Sequence, residues 1–439
     1  MWSEGAKLSG QTFTSTDFIR RKENRMTKSF DIPKELVWEA YLKVKANKGA
    51  AGVDNQSLSD FDEGLKGNLF KLWNRMCSGS YFPSPTRAVA IPKKSGGERI
   101  LGIPTVSDRI AQMVVKLKFE PKVDPIFSND SYGYRPNRSA LDAIEVTRRR
   151  CWKQNWVVEY DIKGLFDNIP HDLLMKAVEK HTQCRWVILY IKRWLKAPIQ
   201  GINNQQQART CGTPQGGVIS PLLANLFLHY AIDSWLNRTY PKLLSCRYAD
   251  DGLMHCRTER EAKQVLEDLG QRLIACGLEL HPSKTKIVYC KDGLRRGRYK
   301  NTAFTFLGYT FKPRTVCNAK TKHRFVSFTP AVSKEAQKAM RQRVRKARWR
   351  WRTEIEILEV AKKFNPILKG WINYYGKFCK SELKSVWRHF NRMLVKWVMR
   401  KYKRFKRHKT RAGCYLEQVY NNKPKLFAHW ACGVKGAFA

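Results

Sequence analysis

Acidic residues are scarce in this sequence, and the shortage is uneven. Over 439 residues, 37 Asp and Glu face 83 Lys and Arg, a formal net charge of +46. The last quarter, residues 331–439, contains no Asp at all and only 6 Glu against 29 Lys and Arg. A folded chain with so little acid repels itself unless a polyanion neutralises it, so nucleic acid is the expected partner. Long apolar runs are missing too. The longest, Val218 to Ile232, is interrupted by Ser220, Pro221, Asn225 and His229, and it is too short to span a bilayer. No membrane association is expected, and the first thirty residues lack the apolar centre of a secretory signal. Twelve cysteines occur, but never as Cys-x-x-Cys, which argues against a zinc ribbon and a disulfide framework. A reducing, cytoplasmic setting follows.

What is present falls into distinct stretches. Residues 1–30 alternate polar and charged residues without a period and read as an extension of uncertain order. From Ile32 the pattern is mixed. A helical stretch at Leu36–Asn47 is followed by β-branched runs at Arg87–Pro92, Trp156–Ile162 and Leu244–Tyr248. From about Val332 the chain reads as helix only. That quarter carries a net charge of +23, where an ordinary solvated helical face mixes both signs. It is read as a separate cationic helical module. The 14 Trp, many of them near Arg and Lys, suit stacking on bases as well as packing.

The candidate chemistry lies in carboxylates. Arg247-Tyr248-Ala249-Asp250-Asp251-Gly252 follows an apolar run, so Asp-Asp-Gly falls where a hairpin should turn. Adjacent carboxylates repel, and a divalent cation removes that repulsion. An exposed Asp-Gly turn is the plainer alternative. The second element is Trp156 to Ile162, a strand ending in Asp161 and followed by Lys163-Gly164-Leu165-Phe166-Asp167. Two-metal phosphoryl transfer needs carboxylates from separate elements, clamping ions roughly 3.5–4 Å apart. A strand-end Asp with a hairpin Asp-Asp supplies that pattern, and Mg2+ suits it because it binds few carboxylates and leaves sites for phosphate oxygens.

With these motifs the sequence resembles the reverse transcriptases encoded by group II introns. The resemblance is carried by Tyr248-Ala249-Asp250-Asp251, by Tyr160 to Phe166, and by the run from Gly212 to Asn225 that lies between them. It extends from about Tyr41 to Phe378, with about 89 residues between the palm carboxylates. It implies an α+β right-hand polymerase, with fingers and palm of mixed helices and antiparallel sheet, then an all-helical thumb or maturase X domain. The implied boundaries are 1–30 for the extension, 31–315 for fingers and palm, 316–410 for the thumb and 411–439 for a short basic tail.

The resemblance also implies roles. Asp161, Asp250 and Asp251, with Ile162, would hold two Mg2+ ions, with Mn2+ able to substitute. Lys93 and Arg99, at a fingers hairpin turning at Gly96-Gly97, would reach the triphosphate. Phe166 would act as the steric gate, with Gln215, Ala249 and Ile162 also at the incoming nucleotide. Lys284 would assist the pyrophosphate as general acid; Lys286 stays open for that part, as does a plain solvated lysine. Phe304 to Phe311 would grip the primer end, and the Tyr132–Arg138 block, with Arg135 and Arg138, would face the template. Asn47 to Asp54 resembles the N-terminal block of non-retroviral enzymes.

Leu368 to Phe378 resembles the maturase motif, in which Trp371, Tyr374 and Tyr375 are expected in the helical core. Arg341, Arg343, Arg345 and Lys346, and Lys401, Lys403, Arg404, Lys406 and Arg407, form the densest cationic patches and are expected on phosphates. The partners implied are group II intron RNA, an RNA template with a DNA primer, deoxynucleoside triphosphates and target DNA. A bacterial or archaeal cytoplasm is the implied setting, with nucleoid association during work on DNA. The paired Cys and His of a metal-dependent nuclease are not seen after the thumb, so that domain is expected to be absent. Two other readings remain: a domesticated relative in DNA repair or phage defence, and an RNA-binding splicing factor whose polymerase site is idle.

Overall fold

A computed structural model describes residues 29–92, 97–201, 205–318 and 320–433. Strands β1 (Thr86–Pro92), β2 (Glu98–Ile103), β3 (Trp156–Asp161), β4 (Ile199–Gln200) and β5 (Gln206–Gln207) come first in the chain. They are followed by β6 (Leu244–Tyr248), β7 (Asp251–Cys256), β8 (Lys286–Tyr289), β9 (Phe304–Phe306), β10 (Tyr309–Cys317) and β11 (Arg324–Val332). The runs read as strands in the sequence are β1, β3 and β6, and the helix expected at Leu36–Asn47 is Lys34–Ala46. No strand among the described residues follows Val332.

The chain divides into two compact units. The first comprises Met1–Ser139, Tyr160–Gly252 and Gln264–Thr285; the second comprises Ala140–Glu159, Leu253–Lys263 and Lys286–Ala439. Neither follows the continuous boundaries expected from the sequence, because β3 and β7 each contribute residues to both.

In the first unit, β1 and β2 form the expected fingers hairpin, paired from Arg87↔Ile103 to Pro92↔Glu98, within a sheet of order β2-β1-β4-β5. Local chemistry starts its helices. Ser57 and Asp60 cap Leu58–Glu63 reciprocally, which satisfies two amides that no helical carbonyl reaches. The Thr105 hydroxyl accepts from the Asp108 amide at the start of Val106–Val123. That helix buries Asp108, Arg109 and Gln112 among apolar residues. Gln112 is put to use: its Oε1 accepts from the Val218 amide at 2.7 Å, which anchors the Gly-rich segment beside the site. A further sheet, not confined to this unit, has order β6-β7-β3-β8.

In the second unit, β9, β10 and β11 form an antiparallel sheet. Helices Lys334–Lys346, Ile357–Tyr375, Lys384–Lys401 and Lys409–Asn422 follow, the first capped by Ser333. Their core gathers Trp349, Phe364, Phe390, Trp397, Phe427 and Trp430. Phe427 and Trp430 belong to the stretch read as a basic tail after residue 410. They are fully buried there, so the helical body runs past that boundary. Trp371, Tyr374 and Tyr375 are half-buried rather than central. Tyr374 donates to the Leu307 carbonyl at 2.9 Å and so ties the maturase motif to the β9–β10 turn.

His429 sits wholly inside this core and shares a 2.7 Å hydrogen bond with Asn391 Oδ1. Burial pushes its imidazole down to about 3, and burial does the same to His255 of this unit. Unfolded histidines take up a proton near pH 6.5 while these stay neutral, so stability is full above 6.5 and is lost as pH falls below it. Each group contributes a slope of about 1.4 kcal/mol per pH unit in that range. Urea unfolding between pH 7 and 4.5 should therefore show a falling midpoint, with one proton's slope removed in His429→Gln. An unchanged slope in the variant would exclude His429 as a source.

Candidate active site

β3 delivers Asp161, whose backbone is held by a second strand-like contact: Ile162 bridges Leu280, and the His281 amide donates to the Asp161 carbonyl at 2.8 Å. The side chain of Asp161 is 7% exposed as a residue and meets the Lys284 ammonium at 2.7 Å. β6 and β7 deliver the other two carboxylates. The turn between them is Ala249-Asp250, one position earlier than the expected Asp-Asp-Gly, and Ala249 takes a φ of 57°. Gly252 is already in β7. Its role is space: a Cβ there would lie 2.1 Å from the Tyr160 ring.

A buried network sets this turn. Arg247 and Asp233 are 1% and 5% exposed, and Nε meets Oδ1 at 2.9 Å. The same guanidinium donates to Asn225 Oδ1 at 3.1 Å, to the Ala249 carbonyl at 3.2 Å and to Ser131 Oγ at 3.0 Å. Asn225 in turn donates to the Gly133 carbonyl at 2.7 Å. Asp233 ends a π-helical turn, His229–Asp233, inserted after helix Ser220–Leu228; such turns are frequent at functional sites. Among these residues Asn225 and Arg247 lie within the sequence motifs, whereas Asp233 and Ser131 belong to none of them. The available signal was a charged residue within an apolar strand, which needs a buried partner.

The Gly-rich segment closes another side. Gly216 has a φ of 116°, and a Cβ there would lie 2.7 Å from the Gly102 carbonyl. The Gly102 amide donates to the Gln215 carbonyl at 2.8 Å, and the Thr213 amide to the Phe166 carbonyl at 2.7 Å. Phe166, half-buried, and Gln215 are thereby brought to one place, with Gln215 Nε2 on Asp167 Oδ2 at 3.1 Å. The Arg99 charge acts on Asp250, as does that of Lys284. Lys93 lies outside the described residues. Lys286 pairs with Glu159 at 3.1 Å rather than with Asp161.

The three carboxylates crowd one another. Burial raises Asp250, with a contribution from Asp161. Asp251 is exposed as a residue, yet desolvation of its carboxyl, then the charges of Asp250 and Asp161, push it up to about 7. Among the described residues no cluster of three or more acidic, His or Cys ligands is closed around a common point; Lys284 provides the positive charge at Asp161. The donor set still fits a hard divalent cation, because oxygen ligands with mutually raised proton affinity are what such an ion relieves.

The cationic residues separate into two kinds. Arg343, Arg345, Lys346, Lys403, Arg404, Lys406 and Arg407 are exposed, and Arg341 is half-exposed. Two others are held by the fold. Arg135 pairs with Asp124 at 2.7 Å and donates to the Ser128 and Ser131 carbonyls, leaving its side chain 5% exposed. Lys401 holds Glu356 and the Thr353 and Ile355 carbonyls, with 12% exposure. Their donors are seated inside the protein, where Asp124 and Glu356 supply the counter-charge. Arg138 rests on the Asn129 side chain at 3.1 Å.

Asp161 closes β3, Asp251 opens β7 and Asp250 lies in the turn before it, so the three carboxylates come from two strands of one sheet and the turn between β6 and β7. The chain belongs to the reverse transcriptase (RNA-dependent DNA polymerase) family, whose model matches residues 91–311. The model of the group II intron maturase-specific domain matches residues 337–415. Protein YkfC of Escherichia coli K12 is 31% identical over 315 residues, covering 63% of this chain and 80% of that protein. The group II intron-encoded protein LtrA of Lactococcus lactis subsp. cremoris is 36% identical over 199 residues, covering 44% and 32%. The chain thus matches about a third of LtrA's length. A solved structure of apo telomerase from Candida tropicalis aligns with a TM-score of 0.41 at 15% identity, over 55% of this chain and 54% of that one.

Breaking the Arg247–Asp233 pair leaves a buried charge alone, which costs about 3–5 kcal/mol, while replacing both partners by apolar residues is far milder. Arg247→Met should lower unfolding stability by that amount, and Arg247→Met with Asp233→Leu should recover most of it. Equal losses in single and double variants, measured by urea unfolding, would show that the pair does not anchor the turn.

Proposed function

We propose that this chain copies RNA into DNA from a primer terminus and also binds group II intron RNA to assist its splicing and mobility. The observation that carries the reading is the convergence in one unit of Asp161, Asp250 and Asp251 with Phe166, Gln215 and Arg99. In the proposed mechanism Asp161, Asp250 and Asp251, with Ile162, would hold two Mg2+ ions, which when bound would supply Lewis-acid activation of the primer hydroxyl and charge stabilisation of the departing pyrophosphate.

The chain's own groups do the rest. Arg99, whose charge already acts on Asp250, offsets triphosphate charge once a nucleotide arrives. Lys284 has a half-exposed side chain and three donors. It exchanges Asp161 for the pyrophosphate oxygens and delivers a proton to them. Phe166 presents an aromatic edge where a ribose 2′-hydroxyl would sit, which favours deoxynucleotides. The Arg247 network keeps Asp250 and Asp251 aimed without reorganisation during the reaction, the condition under which electrostatic catalysis is strongest.

The RNA-binding part of the proposal rests on the second unit's exposed cations and on the maturase-specific match at residues 337–415. Cations of this kind give tight, salt-dependent and sequence-tolerant binding. They serve intron RNA, template–primer and target DNA alike, so specificity has to come from elsewhere.

Removing a carboxylate that holds a catalytic ion forfeits several kcal/mol of charge stabilisation, or about a thousandfold in rate. Asp250→Ala should therefore abolish primer extension on an RNA template with Mg2+ while leaving RNA affinity near that of the wild type. Extension by both proteins at equal rates would refute the assignment. Neutralising Lys403, Arg404, Lys406 and Arg407 to Gln should weaken RNA binding and flatten its salt dependence, by about 0.7–0.9 in slope for each phosphate contact removed. A slope identical to wild type would take this cluster off the RNA surface.

A further inference from the structure

Trp351 is out of place by ordinary packing rules. It is 56% exposed, whereas Trp349, two residues away, is 1% exposed and packs with Phe364 and Phe390. Exposing so large an apolar surface is unfavourable, and it occurs here in the most cationic part of the chain. Trp152, also partly exposed, differs in that its indole donates to the Phe328 carbonyl and Arg148 covers its ring at 4.5 Å. Among the described residues the Trp351 indole N–H has no protein partner.

The ring is nevertheless held firmly. Trp349 anchors one end of the short 3-10 turn Trp349–Trp351 in the core. Just beyond it, the buried Trp397 indole donates to the Arg352 carbonyl at 3.0 Å. Lys401 clamps the next residues through the Thr353 and Ile355 carbonyls at 3.2 and 3.0 Å. The Arg400 guanidinium then lies 3.7 Å from the Trp351 ring centroid, within cation–π range, and Arg350 lies beside it at 5.4 Å. A guanidinium thus lies over the indole carried by this clamped turn, and Trp351 as a residue is still 56% exposed.

We infer that Trp351, backed by Arg400, is a stacking platform for an unpaired nucleobase of RNA. The reading rests on the RNA binding proposed above and adds to it a contact that discriminates. Phosphate-binding cations cannot distinguish a loop from a duplex, but a free aromatic face can, because only an unstacked base is available to it. Arg350 and Arg400 are placed to neutralise the phosphates flanking that base. Lys401 acts here as a positioning residue through the turn it clamps. Holding the ring in place before binding lowers the ordering cost that a mobile side chain would add.

The test uses the full chain and two RNA probes: a stem–loop carrying 2-aminopurine in its loop, and a fully paired duplex of equal length. Wild type should prefer the stem–loop and quench its fluorophore. Trp351→Ala should weaken stem–loop binding by about five- to a hundredfold, the effect of losing one stacked base. It should leave duplex affinity and the salt slope unchanged, since no charge is removed. Trp351→Phe should restore most of the affinity, which separates stacking from misfolding. Equal stem–loop affinity in wild type and Trp351→Ala would overturn the inference, as would a parallel loss on both probes that Phe does not rescue. If wild type binds neither RNA, the proposed RNA-binding function itself fails. A DNA stem–loop of the same sequence, bound equally well and equally sensitive to Trp351→Ala, would assign the platform to unpaired bases generally and overturn its restriction to RNA.

Discussion

The candidate site depends on a charge pair set behind its carboxylates. Arg247 lies in the strand leading to the Ala249-Asp250 turn, and its guanidinium is divided among Asp233, Asn225, Ser131 and the Ala249 carbonyl. Each of those contacts fixes a different element. Asp233 brings the π-helical turn, Asn225 the helix after the Gly-rich segment, and Ser131 the strand-like stretch beside β6. A carboxylate turn that must tolerate mutual repulsion needs such a frame, because the repulsion acts to splay Asp250 and Asp251 away from Asp161. A fully hydrogen-bonded buried network resists that displacement more stiffly than apolar packing, whose energy changes little with orientation.

Charge is handled in a graded way across the molecule. Inside the first unit every buried cation described in the site has an anion or carbonyl partner, and Lys284 serves Asp161 in the same manner. On the second unit's surface the exposed arginines and lysines have few acidic neighbours. The contrast follows from desolvation: an unpaired charge is prohibitive in the interior and nearly free at a solvated surface. The exposed excess is therefore where polyanion affinity is concentrated. Trp351 gives one point on that surface a chemistry other than charge.

The candidate aspartates could be read from local sequence because Asp161 closes β3, Asp251 opens β7 and Asp250 lies in the turn between β6 and β7, and strand ends and turns are local features. The fingers hairpin, β3, β6 and the switch to pure helix after Val332 were legible for the same reason. Arg135 and Lys401 were expected on phosphates, and composition does not reveal the partners the fold gives them, Asp124 at 11 residues' distance and Glu356 at 45. Lys403 to Lys409 reads as the start of a basic tail, yet Ala412, Leu416, Phe427 and Trp430 return to the core.

By itself the sequence determined which groups are available: three carboxylates at strand ends and the turn between strands, a charge of +46, and a helical module carrying half of that charge. Local order is enough for these, since they rest on residue type and on spacing within an element. Tertiary structure decided which groups are free to act. It folded Arg247 inward and left Arg343 outward, moved the turn by one residue so that Gly252 makes room for Tyr160, and buried Trp349 while presenting Trp351. Those outcomes depend on which distant atoms fill each side chain's surroundings, and burial and partnership of that kind have no signature in the local sequence.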